Sequence, residues 1–134
     1  MTEIDLNNPE YYINRELSLL QFNRRVLDLA QDDSVPLLER LKYLCISSSN
    51  LDEFFEIRVA GIKQQLQLGI STMGADALPP HEQFQQIQEI AHELVHDQYA
   101  VLNKILIPEM ANEGIRFLRR THWNPEQARW IKSY

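Results

Sequence analysis

Residues 36–68 read PLLERLKYLCISSSNLDEFFEIRVAGIKQQLQL, and how this stretch divides decides the fold. Pro36 suits a first helical position, where its missing N–H is not needed. Leu37, Leu38, Leu41, Leu44 and Cys45 then recur at helical spacing. The small polar run Ser47-Ser48-Ser49-Asn50 follows; such side chains compete with helical backbone for hydrogen bonds and favour caps. Asn50 and Glu53 have the spacing of a capping box, with Asp52 also in the first turn. A second helix is therefore expected over 51–68, with Leu51, Phe54, Phe55, Val59, Ile62 and Leu66 on its apolar face and Gly69 ending it.

Working outward, Ser18 and Gln21 resemble another capping box, and Leu19, Phe22, Val26 and Leu29 give the helix they open an apolar face to about Gln31. Asp32-Asp33-Ser34 forms the connector, since acids at a helix C-terminus oppose its dipole. Residues 1–13 show no period and read as an arm. Beyond a loop over 69–79, Pro80 opens a long helix with Phe84, Ile87, Ala91, Leu94, Val95, Leu102 and Ile105 on one face. Pro108 predicts a kink or short break, and Gly114 a C-terminal stop. Ile115–Leu118 is a candidate short strand. Asn124 and Pro125 start a further helix whose pattern is cut off at Tyr134, which predicts that the natural chain continues. The expected fold is all-α: an antiparallel bundle of about four helices (18–31, 36–47, 51–68, 80–113) in a domain over 1–113, with 114–134 the truncated beginning of a second domain.

The chain has 134 residues and a net charge of −6, from 13 basic and 19 acidic residues. Binding of nucleic acid across the whole surface is disfavoured, because phosphate neutralisation needs a basic face. The charge is uneven. Residues 70–113 hold seven acids and one base, Lys104, whereas 114–134 hold five bases and one acid, Glu126. No apolar run is long enough for a transmembrane span, and no leader pattern opens the chain. The single cysteine, Cys45, excludes an intrachain disulfide, fits a reducing cytoplasm and reads as a small core residue between Leu44 and Ile46.

Four constellations bear on chemistry. His92-Glu93-Leu94-Val95-His96 matches the H-E-x-x-H pattern of zinc proteases. Both histidines fall on the polar face of their helix, however, and only Glu113 and His122 offer themselves as a third ligand, with nothing fixing either; a metal site is not expected. Ser47, Ser48 and Ser49 have no base nearby in sequence, the nearest histidine being His81, so they read as break-and-cap residues and not as nucleophiles. Arg58 has Phe54, Phe55, Gly61 and Ile62 as its helical neighbours and must pair with an acid on another helix, with solvent, or with an anion. The basic residues Arg116, Arg119, Arg120, Arg129 and Lys132 suit a solvated face, packing against the acidic 80–113 helix, or guidance of a polyanion.

Three stretches carry a family resemblance: Arg15-Glu16-Leu17-Ser18-Leu19-Leu20-Gln21-Phe22-Asn23 with Arg25-Val26-Leu27, then Pro36-Leu37-Leu38-Glu39-Arg40-Leu41-Lys42-Tyr43-Leu44, and above all Ser49-Asn50-Leu51-Asp52-Glu53-Phe54-Phe55-Glu56-Ile57-Arg58-Val59-Ala60. Together they resemble the N-terminal domain of bacterial polyphosphate kinase, the long-chain polyphosphate-synthesising type. The likeness covers residues 11–134, strongly in 15–63 and weakly after 70; Leu19 departs from the tryptophan that many members have. The resemblance implies a helical N-terminal domain followed by head and catalytic domains. It implies an enzyme that moves the terminal phosphate of ATP to a histidine and then to polyphosphate. The phosphorylated histidine and the Mg2+-binding residues would lie in those later domains, so no catalytic or metal-binding residue is expected here. A cytoplasmic homo-oligomer is implied, with peripheral membrane association an option. The N-terminal domain would cover the nucleotide site, with Asn50 touching the adenine end of ATP. From the residues alone, Asn50 is a helix N-cap; both roles are compatible, since a capping oxygen leaves the amide NH2 free to donate. Carboxylates at Asp52 and Glu53 favour the base end of ATP over its phosphates. The alternative is a purely structural helical domain that holds domains or subunits together without touching nucleotide.

Overall fold

The computed structural model describes residues 4–134, so the start of the expected arm over 1–13 lies outside the described residues. Six α-helices follow in order: α1 (Arg15–Gln31), α2 (Leu37–Glu53), α3 (Ala60–Gln67), α4 (Pro80–Val101), α5 (Ile107–Asn112) and α6 (Pro125–Ser133). Two π-helical stretches, Phe54–Val59 and Leu102–Leu106, join α2 to α3 and α4 to α5 without a break. The bundle is thus built from three long rods: α1, residues 37–67 and residues 80–112. Cross-links fix their directions. Glu16 near the start of α1 meets Arg58, and Ala30 near its end meets Arg40, so the second rod runs against the first. Gln83 meets Glu16, and Arg24 pairs with Asp97, so the third rod runs along the first.

The core between the rods follows the apolar periods. Leu20, Leu27 and Ala30 come from α1, Leu44, Leu51 and Phe54 from the second rod, and Ile87, Ala91 and Leu94 from α4; all are buried. The all-α bundle is as expected, and so are both glycine stops. Gly69 (φ +65°) and Gly114 (φ +81°) each take the left-handed conformation, and Ile70 N–H bonds Gln65 O and Ile115 N–H bonds Met110 O across them. That is the Schellman pattern, which satisfies carbonyls the helix leaves open. Asn124 caps α6 through a complete capping box with Gln127, as its sequence predicts.

Several expectations are corrected. The run Ser47–Asn50 does not break the helix. Ser47 is fully buried in the register Arg40, Leu44, Ser47, Leu51; its hydroxyl accepts from Gln98 Nε2 (2.9 Å) and its carbonyl from Asn23 Nδ2 (2.9 Å). Partners on other helices satisfy these groups, so they do not compete with the local backbone, and tertiary contact overrides propensity. The Asn50–Glu53 capping box is accordingly absent, and Asn50 sits inside a continuous helix. Pro36 stands one residue before the first helical residue, Leu37. Helix α1 starts at Arg15, not Ser18, because Asn14 caps it by accepting from Leu17 N–H. Its buried stripe is Leu20, Asn23, Leu27 and Ala30, one residue on from the Leu19, Phe22, Val26, Leu29 face. Cys45 is exposed, not core, since the buried line passes through Leu44 and Ser47.

The interruption expected at Pro108 takes the form of the π stretch before it. A proline ring clashes with the carbonyl four residues back and leaves it without a donor, and a wider turn accommodates both. Residues 115–118 form no strand; the described residues offer no sheet edge with which one could pair. The basic residues of 114–134 form no ion pair with the acidic helix among the described residues.

Candidate functional site

The site forms where the middle of α1 faces the end of α2 and the π stretch that follows. A π turn inserts one extra residue per turn and recurs at functional sites. Here it stretches the interval between the buried residues Phe54 and Val59 to five positions and leaves Ile57 and Arg58 facing outward. Together with Leu19, Phe22 and Asn23 from α1 and Asn50 and Glu53 from α2, they line a pocket of about 330 Å3. Its rim is apolar and open to water: Phe22 is 60% exposed and Ile57 61%. Phe54 forms the buried floor and meets Phe55 edge to face at 5.9 Å.

Asn50 is half-buried in the wall of this pocket. Its Nδ2 points to Asn23 Oδ1 at 3.4 Å, and among the described residues no donor reaches its Oδ1. Arg58 finds an acid on another helix, Glu16, at 3.7 Å, one of the three outcomes its surroundings in sequence leave open. Glu16 also accepts from Gln83 Nε2 at 2.9 Å, so Arg58 is not its sole partner. Arg58 and Ile57 also border a second, more polar hollow of about 650 Å3 between the start of α1 and the 68–79 loop, where Asn14 Nδ2 donates to Asp76. The first pocket thus combines apolar surface with the Asn50 amide, the Glu53 carboxylate and the Arg58 guanidinium.

The remaining sequence candidates separate clearly. His92 and His96 lie on the outer face of α4, His96 with its side chain 78% exposed beside Asp97. Hydrogen bonding by His96, and then by Arg24, holds the Asp97 carboxyl below the usual carboxylate range. Neither Glu113 nor His122 joins the two histidines, and among the described residues no three His, Cys, Asp or Glu side chains converge. Ser47 has an amide as its partner and no base, so it is not set up as a nucleophile.

Two features were not anticipated. One is the buried polar relay from Gln98 through Ser47 to Asn23 and Asn50. The other is Arg40, 3% exposed, whose Nε donates to Ala30 O at the end of α1 and whose Nη1 pairs with Glu109 of α5 at 2.6 Å. The available signal was register: Asn23, Arg40, Ser47 and Gln98 each stand three or four residues from buried apolar neighbours.

A family model described as the polyphosphate kinase N-terminal domain matches residues 12–118. The chain belongs to this family. It is 53% identical over 130 residues to a protein named polyphosphate kinase from Pseudomonas syringae pv. tomato. It is 48% identical over 131 residues to one from Thermosynechococcus vestitus, and 50% identical over 120 residues to one from Neisseria meningitidis serogroup C. These matches cover 97%, 98% and 90% of this chain but only 18% of each relative. A comparison with solved structures returned no match. In this polyphosphate kinase N-terminal domain the motif Ser49–Phe54 straddles the end of α2 and the start of the π stretch, beside the pocket. No helix is long and apolar enough to cross a membrane among the described residues.

Proposed function

We propose that this domain covers the nucleotide site of a polyphosphate kinase and receives the adenine end of ATP in the pocket beside Asn50. The observation that carries this reading is that Asn50 is not engaged as a cap: its amide edges an apolar pocket with an oxygen that no donor reaches among the described residues. Asparagine pairs two-pronged with adenine, donating to a ring nitrogen and accepting from the 6-amino group. The exposed Phe22 and Ile57 supply apolar surface for the ring. The chemistry of the full-length enzyme, transfer of the terminal phosphate of ATP through a phosphohistidine to polyphosphate, is assigned to domains beyond this segment. Mg2+ is assigned there too, as the family resemblance implies. Residues 114–134 begin the following domain, and the remaining domains of the same chain, in a cytoplasmic homo-oligomer with peripheral membrane association an option, are its partners. The competing function is a purely structural module without nucleotide contact.

The two separate by kinetics. In the full-length enzyme Asn50→Ala should raise the ATP Michaelis constant about fivefold, the worth of one ordinary hydrogen bond, with turnover within about twofold. Because Asn50 caps no helix, loss of a cap does not confound the measurement. An unchanged Michaelis constant favours the structural module.

A further inference from the structure

We propose that Asn23 is a positioning residue that fixes which way the Asn50 amide faces, so that Asn50 presents its oxygen to the 6-amino group of adenine and rejects the 6-oxo group of guanine. The proposal rests on the nucleotide function above and deepens it.

The relay begins at a group with only one possible role. The Ser47 backbone carbonyl can only accept, and Asn23 Nδ2 meets it at 2.9 Å. Asn23 is 4% exposed, so turning its amide over would set two acceptors against each other away from water, a heavily penalised arrangement. Its NH2 is therefore committed to Ser47, and its oxygen is left facing Asn50. That oxygen in turn can only accept, so Asn50 must turn its NH2 toward Asn23, as its 3.4 Å approach shows. The Asn50 oxygen is then directed away from Asn23, and one Nδ2 hydrogen remains free. Ser47 is itself held by Gln98, 8% exposed, whose Nε2 donates to the Ser47 hydroxyl at 2.9 Å. The polarity is thus inherited from the fold and does not adjust to the ligand.

The consequence is selectivity. Adenine carries a donor at position 6 and guanine an acceptor at the same place. An Asn50 free to rotate would serve either ring by swapping ends. Held with its oxygen outward, it meets the adenine amino group with a complementary bond and the guanine oxygen with repulsion.

The test uses the full-length enzyme and the ratio of kcat/KM for ATP over GTP. Asn23→Leu removes the constraint and should lower the ratio about fivefold to tenfold, mainly by improving GTP use. Asn23→Asp keeps an oxygen toward Asn50 and, protonated, a donor toward Ser47, and should hold the ratio within about twofold of wild type. Leu27→Ala, a buried change one turn further along α1, controls for destabilisation: it should lower the melting temperature and leave the ratio alone. In an Asn50→Ala background, Asn23→Leu should have no further effect on the ratio. If Asn50→Ala changes the ratio but Asn23→Leu does not, or if Asn23→Leu acts equally in the Asn50→Ala background, the positioning role is overturned while the nucleotide function stands. If Asn50→Ala leaves both ratio and ATP Michaelis constant unchanged, the nucleotide function itself fails. Should Asn23→Leu not fold, Asn23→Asp decides, and a collapsed ratio in that variant overturns the proposal.

Discussion

Asn23 and Ser47 are polar side chains at core positions, and the apolar pattern passes over both for the same reason. Sequence patterning assigns polar residues to the surface, whereas a buried amide with a partner costs little. The apolar residues of α1 predict a stripe one residue away from the buried one because the buried line includes the polar Asn23, and Cys45 lies outside because the buried line of α2 passes through Ser47. Phe54 and Leu94 are buried as their spacing predicts, at 7% and 0% exposure. Replacing either with alanine should cost on the order of 3 kcal/mol in urea unfolding, through lost burial and the cavity left behind. His96→Ala should cost no more than about 0.5 kcal/mol, since its ring stands in solvent. A His96→Ala loss as large as that of Leu94→Ala would mean that α4 presents the opposite face to the core.

At the scale of elements, glycine stops and the Asn124 cap were legible because their chemistry is local. The two π stretches were not anticipated, yet they left a trace. Buried residues step by five, from Phe54 to Val59 and from Val101 to Leu106, where an α-helix would step by three or four. Arg40 is the counterpart at the far end of the bundle. It joins the last carbonyls of α1, its own helix and α5, a cation set where the dipole of α1 favours one. Arg40→Met should destabilise the chain by about 2 kcal/mol, because Ala30 O loses a buried donor and Glu109 its partner. Arg25→Met, at an exposed position on α1, should stay within about 0.5 kcal/mol of wild type. Equal effects of the two in urea unfolding would show that Arg40 does not hold the three helices together.

Across the whole molecule, the motif Ser49–Ala60 carried both the family and the place of the site, although its local structure was misjudged. It was expected to open a helix with a cap; instead it runs through one rod into a π stretch and places Asn50, Ile57 and Arg58 around one pocket. That an amide at that point borders a pocket was not readable from spacing, because the pocket needs α1 as its other wall. The central claim is that this pocket holds the base of ATP. Photolabelling of the full-length enzyme with ATP carrying an azide on its adenine ring, followed by mapping of the modified residues, tests it most directly. Labelling should fall on the pocket rim, at Phe22, Ile57 or their neighbours, and disappear with excess ATP. ATP-protected labelling confined to residues beyond Tyr134 would contradict it.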